Sequence, residues 1–235
     1  MLRAKHVSVS NHLLSALPRK DYRELLRFLE PVELTFAQVL YEPYARIRHV
    51  YFPVDCFISM LTSVDDDRVA EVGLVGSEGM VGVPVVLGAA VSPFRAVVQG
   101  GGRAMRMNIA DFRREFGESV ALRRELFLFT HLLMFQISQT AACNRFHNVT
   151  QRMARWLLLT RDRVSSDEFR ITQQFLALML GVRRSRVNIA AGILHERKLI
   201  GYRRGTITIL NQKGLEAAAC GCYKTVKDFC TQRKA

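Results

Sequence analysis

Arg183, Arg184 and Arg186 crowd one short stretch, with Ser185 among them. A guanidinium stays protonated at any ordinary pH and has no lone pair to offer, so its chemistry is recognition rather than catalysis. Its planar fork of donors meets a phosphate, or guanine O6 and N7, two bonds at a time. Wound at about 3.6 residues per turn, the segment that begins near Arg183 and ends before Leu199 places Val187, Ala191 and Leu194 on one face, with Ser185, Ile189, Gly192 and Glu196 opposite. The arginines then fill the first turn, where a helix already carries partial positive charge. An anion arriving from outside relieves that conflict. A solvated face accommodates one such arginine easily; three in a single turn point to a polyanion.

The elements that must hold this turn are legible on both sides of it. Thr172 can cap a helix from Gln173 to Leu180, and Gly181 allows a tight turn into the arginine helix, which gives a helix-turn-helix. Leu199 to Leu210 then reads as a hairpin, with Arg204-Gly205 at the turn and Thr206, Ile207, Thr208 and Ile209 alternating in the return strand. Such a wing puts Arg203, Arg204 and Thr206 where they can hold a DNA backbone. The expected DNA-contacting set is therefore Thr172, Arg183, Arg184, Ser185, Arg186, Asn188, Ile189, Arg203, Arg204 and Thr206.

Charge supports this placement. The chain has 34 Lys and Arg against 21 Asp and Glu, a net +13, and residues 1–145 hold only +2 of it while 146–235 hold +11. A nearly neutral module is thus joined to a basic one. In the neutral part, Val32–Phe36, His49–Phe52, Cys56–Leu61, Val69–Val75, Phe94–Val98 and Arg103–Met107 are short, β-branched or aromatic, and separated by turn residues, the pattern of a β-sandwich or barrel. Asn11 and Pro18 begin short helices ahead of them.

Between the two modules a long helix runs from about Ser119 to Asn144. Leu122, Leu126, Phe129, Leu133 and Ile137 recur at spacings of three and four, yet Phe127, Leu128, Leu132, Met134 and Phe135 are apolar as well. One face cannot hold them all. The simplest arrangement sets one side on the β-module and another on the same helix of a second subunit, with Leu133 in that seam; a central core helix of a monomer is the alternative. A further helix spans Val149 to Arg163. The fold class is α+β, divided as a β-roll module over 1–117, a dimerisation helix over 118–145 and a DNA-binding module over 146–235.

Other chemistry finds little support. No Walker loop, G-x-S-x-G elbow or paired-carboxylate motif is present, so an enzyme is not expected. Cys220, Cys222 and Cys230 form C-x-C-x7-C in a tail with no His after them, which reads as free thiols rather than a metal site. His49, His131, His147 and His195 are scattered and read as structural. Met1 to His6 is followed by no apolar signal-peptide core, and Leu126 to Ile137 is too short and too interrupted for a membrane span of about 20 residues. A cytoplasmic location and no membrane partner follow as expectations.

From about Asn11 to Leu210 the chain resembles the Crp/Fnr family of bacterial transcription regulators, most specifically in Gly181-Val-Arg-Arg-Ser-Arg-Val187 and the wing after it. The resemblance implies a jelly-roll-like β-roll of cyclic-nucleotide-binding type, a dimerisation helix, a winged helix-turn-helix, and double-stranded DNA and RNA polymerase as partners. It places Arg184 on the family's base-reading arginine, with Ser185 in place of a glutamate and Ile189 in place of a second arginine. It also places Gly73, Gly76, Gly79 and Gly82 on the family's phosphate cassette, which makes Gly79, Gly82, Val83, Arg95 and Ala96 the candidate effector residues for a cyclic nucleotide or another small anion. Val83 stands where a ribose-binding glutamate is needed and Ala96 where a hydroxyl is needed, so cyclic AMP is not the expected ligand. The alternative is a ligand-independent DNA-binding protein that keeps the roll as a scaffold or partner-binding module.

Overall fold

The computed structural model describes residues 11–65, 68–164, 166–203 and 205–232. Arg204 of the expected wing tip lies outside them. The chain opens with α1 (His12–Ser15), capped by the Asn11 side chain on the Leu14 amide, and α2 (Arg19–Leu26). Seven strands follow: β1 (Glu30–Leu34), β2 (Val39–Tyr41), β3 (His49–Pro53), β4 (Phe57–Asp65), β5 (Arg68–Val75), β6 (Arg95–Gly100) and β7 (Gly102–Asn108). They form two antiparallel sheets, ordered β1-β7-β3 and β2-β6-β4-β5. Their inward side chains, among them Phe52, Ile58, Val50, Val98 and Met107, make one core. β2 is the strand that sequence pattern missed; three residues are too few to show alternation.

Two helices close the roll: α3 (Ile109–Glu118), capped by Asn108, and α4 (Val120–Phe146), whose N-cap Ser119 accepts from the Leu122 amide. Leu122, Leu126, Phe129 and Leu133 of α4 are buried in the roll's core. This corrects one expectation: Leu133 is only 5% exposed and faces the roll, and the side left open carries Val120, Phe127 and Met134, the last 61% exposed, at intervals of seven. By length and composition α4 could cross a membrane. Its core-facing residues instead pack on protein.

After His147 and Asn148 the chain enters α5 (Val149–Val164), then β8 (Glu168–Arg170), α6 (Gln173–Leu180), α7 (Arg184–Glu196), β9 (Ile200–Arg203) and β10 (Thr206–Ile209). Trp156, Leu157, Leu176, Val187, Leu194 and Ile207 build a second core, to which Leu61 and Val97 of the roll also belong. The expected hairpin gains a strand, because β8 pairs with β10 to give the order β8-β10-β9. The expected tail is also corrected. It forms α8 (Gln212–Ala218), capped by Asn211, and α9 (Cys222–Gln232), whose Phe229 ring stacks on Phe135 of α4 at 4.1 Å. Leu215, Tyr223 and Val226 give these helices an apolar face that needs covering.

Candidate nucleic-acid interface

Thr172 caps α6 by accepting the Phe175 amide at 3.2 Å. Gly181 ends α6 in the left-handed region, at φ +60°, a conformation that leaves other residues strained and lets the chain double back into α7. Val187, Ala190, Ala191 and Leu194 are buried against the rest of the module. That anchoring leaves Arg183, Arg184, Ser185, Arg186, Asn188 and Ile189 exposed on the other side, Ile189 at 60%. Arg183 is the N-cap and provides no side-chain cap of its own. Among the described residues no carboxylate pairs with Arg183, Arg184 or Arg186.

The wing is tied to the start of α6. Arg203 and Thr206 are register partners across the β9–β10 turn. The Ile171 amide donates to the Gly205 carbonyl at 2.7 Å, which fixes the wing tip next to Thr172. Arg170 is Thr206's partner on the other edge and is exposed. It belongs to the same basic surface and was not foreseen, because nothing in its immediate sequence marks β8 as part of the wing. His195 supports the base of the hairpin through a contact of its Nδ1 with the Ile200 carbonyl, 3.1 Å.

The module is not independent of the roll. Glu71 of β5 is buried and accepts hydrogen bonds from Ser59 and, at 3.0 Å, from the Trp156 indole of α5. Burial pushes its carboxyl up to about 7, against the pull of these bonds and of the Arg163 and Arg155 charges. Arg163 donates to Glu78 at 2.9 Å and to Gln136 of α4 at 2.8 Å, so one guanidinium joins α5, α4 and the loop after β5. Phe175 of α6 meets Phe36 at 5.2 Å between ring centroids.

The candidate effector residues are each engaged otherwise. A Cβ at Gly79 would overlap the Phe129 ring of α4, and one at Gly82 would lie 2.9 Å from Val50. Val83 and Ala96 are buried, and Arg95 pairs with Glu42 at 3.2 Å. A cavity of about 650 Å³ does exist, but it is lined by residues of α1, α4, α5 and α9 with Ser77 and Glu78, and by none of these five.

Residues 151–218 match the Crp-like helix-turn-helix domain family. This is a Crp-like helix-turn-helix domain on a Crp/Fnr-type fold. Among solved structures, the chain is similar to FixK2 from Bradyrhizobium japonicum, with a TM-score of 0.70 at 14% identity over 82% of this chain and 98% of that one. It is also similar to the c-di-GMP responsive global regulator CLP of Xanthomonas campestris, with a TM-score of 0.67 at 16% identity over 82% and 99%. A CRP-family transcriptional regulator of Thermus thermophilus gives a TM-score of 0.67 at 15% identity over 80% and 96%. No curated protein sequence matches the chain. At these identities the structural likeness speaks for the fold, and the Crp-like domain adds the helix-turn-helix type of DNA-binding module.

Proposed function

We propose that this protein is a sequence-specific transcription regulator that binds double-stranded DNA as a homodimer. The observation that carries the reading is the first turn of α7: three exposed arginines without carboxylate partners among the described residues, on a helix end that already favours anions, in a module whose wing adds Arg203, Thr206 and Arg170. Arg184 reads guanine, Ser185, Arg186, Asn188 and Ile189 contact neighbouring edges or phosphates, and Thr172, Arg183 and Arg203 hold the backbone, with Arg204 adjoining them in sequence. The modules divide as 1–117, 118–145 and 146–235, and the protein works in the cytoplasm, on DNA and beside RNA polymerase, without catalysis of its own.

The open side of α4 supports the dimer. Val120, Phe127, Met134 and Ala141 follow one another at intervals of seven, the seam of a two-helix coiled coil. Met134→Glu separates the subunits in sedimentation and removes tight DNA binding, whereas Leu133→Glu unfolds the roll. Selection of random DNA by the purified protein tests the whole reading: it enriches an inverted repeat with half-site centres about 34 Å apart. If no sequence is enriched, the reading fails.

A second reading concerns the roll. Gly79 packs under Phe129, Gly82 packs over Val50, and Arg95 is paired with Glu42, which favours a roll that serves as scaffold or partner surface over one that takes a cyclic nucleotide at these positions. A melting-temperature screen against cyclic nucleotides and small anions separates the two, because a ligand bound only by the folded state raises stability by mass action.

A further inference from the structure

Cys143 and His147 lie one turn apart at the C-terminal end of α4, the positions i and i+4 that share a face. Cys220 and Cys222 lie where α8 gives way to α9, separated by Gly221. Folding brings the pairs together across more than seventy residues. Cys143 Sγ is 3.4 Å from Cys220 Sγ, and Cys222 Sγ is 3.6 Å from His147 Nδ1. All four donor atoms lie within 4.8 Å of one another, and the three cysteines are buried.

Three thiols and one imidazole are a soft donor set, and four protein donors leave no open position. With Zn–S near 2.3 Å, the sulfur–sulfur edge of a tetrahedral site is about 3.8 Å. The separations here bracket that value, so a central ion needs side-chain adjustment rather than a new backbone path. The surroundings fit the charge as well. Three thiolates and one divalent ion sum to −1, and the buried Arg155 brings a positive charge to this end of α4, where it donates to Thr140 at 2.9 Å while its Nε has no hydrogen-bond partner among the described residues. Gln139 Nε2 donates to Cys222 Sγ at 3.0 Å, the kind of outer contact that orients a metal-bound thiolate.

We propose that Cys143, His147, Cys220 and Cys222 bind a single zinc ion in a closed tetrahedral site that fastens the α8–α9 segment to the joint between α4 and α5. On binding, each thiol releases its proton to solvent and the imidazole binds as the neutral base. The inference does not rest on the DNA-binding reading. Spacing in the sequence pointed away from it, because the third tail cysteine, Cys230, is not the partner of Cys220 and Cys222, and the histidine comes before them rather than after.

The test uses the full chain, purified under reducing conditions. Metal analysis finds one equivalent of zinc per chain, and X-ray absorption at the zinc edge finds three sulfurs at about 2.3 Å and one nitrogen at about 2.0 Å. Cobalt added to zinc-stripped protein gives the thiolate charge-transfer and d–d bands of a tetrahedral site. Cys143→Ser and Cys222→Ser lose the zinc, and Gln139→Ala weakens binding about 10-fold. Cys56→Ser retains it, since Cys56 is a buried thiol of the roll. Wild-type reconstitution with cobalt keeps the proposal testable if a variant does not fold. The proposal is overturned by an oxygen and nitrogen shell around zinc, or by equal zinc loss in Cys56→Ser and Cys143→Ser. It is also overturned if reduced protein takes up neither metal and Cys143 and Cys220 are found joined as a disulfide on exposure to air.

Discussion

The glycine series from Gly73 to Gly82 and the arginine turn from Arg183 to Arg186 both have the composition of an anion site, and folding treats them in opposite ways. Around the glycines the missing side chains are replaced by others: Phe129 covers Gly79, and Val50 and Tyr41 approach Gly82. Around the arginines nothing closes in, and their charges remain unpaired among the described residues. Glycine spacing records how closely two elements approach, which packing needs as often as ligand binding does. An unpaired cation cluster on an anchored helix has no comparable packing use. The second stretch therefore carries function with far fewer assumptions.

Substitutions can break this comparison. Gly79→Val should lower stability by about 3 kcal/mol, because the new methyls meet a buried aromatic ring that has no room to leave. Urea denaturation measures it, and an unchanged midpoint would show that the glycine is not there for packing.

The contact between the roll and α5 of the second module should depend on pH through Glu71. Its carboxyl is raised from 4.5 to about 7 in the folded state, so between those values the unfolded chain releases a proton that the folded chain keeps. Stability is then complete below about pH 4.5 and falls as pH rises towards 7, by about 3 kcal/mol in all. Glu71→Gln should flatten that slope; a wild-type slope that survives the substitution would assign it to another group.

On the open side, Arg184→Ala should weaken specific DNA binding by about 1 to 3 kcal/mol and relax one base position, without moving the melting temperature. Arg203→Ala should weaken all sequences alike and reduce the salt slope by about 1. An Arg184→Ala protein that selects the wild-type site would misplace the helix in the groove.

The smallest effect belongs to Arg95→Ala. A half-exposed pair with Glu42 contributes at most about 0.5 kcal/mol, and DNA affinity with or without cyclic AMP should not change. Calorimetry showing micromolar cyclic AMP binding that tightens DNA binding would return these residues to an effector site.

Local patterns carried much of the fold. Thr172 as a cap, Gly181 as a turn, the helix limits of α5 and α6, and six of the seven roll strands follow from residues close in sequence. What local pattern could not show depends on distant partners. The three residues of β8 become a strand only because β10 lies beside them, and Leu133 and Met134 are equally apolar, so only docking decides which of them meets the roll. Cys143 and His147 acquire their neighbours from the junction of α8 and α9, more than seventy residues further along the chain.

Trp156 is the chain's single tryptophan, and its indole N–H rests on Glu71 of the roll. Tryptophan fluorescence of the unlabelled protein therefore originates at one place, the seam between the helix-turn-helix module and the roll. Emission should shift to longer wavelength when that seam admits water. Any ligand, metal ion, pH step or DNA fragment that parts the two modules would announce itself in the colour of one side chain.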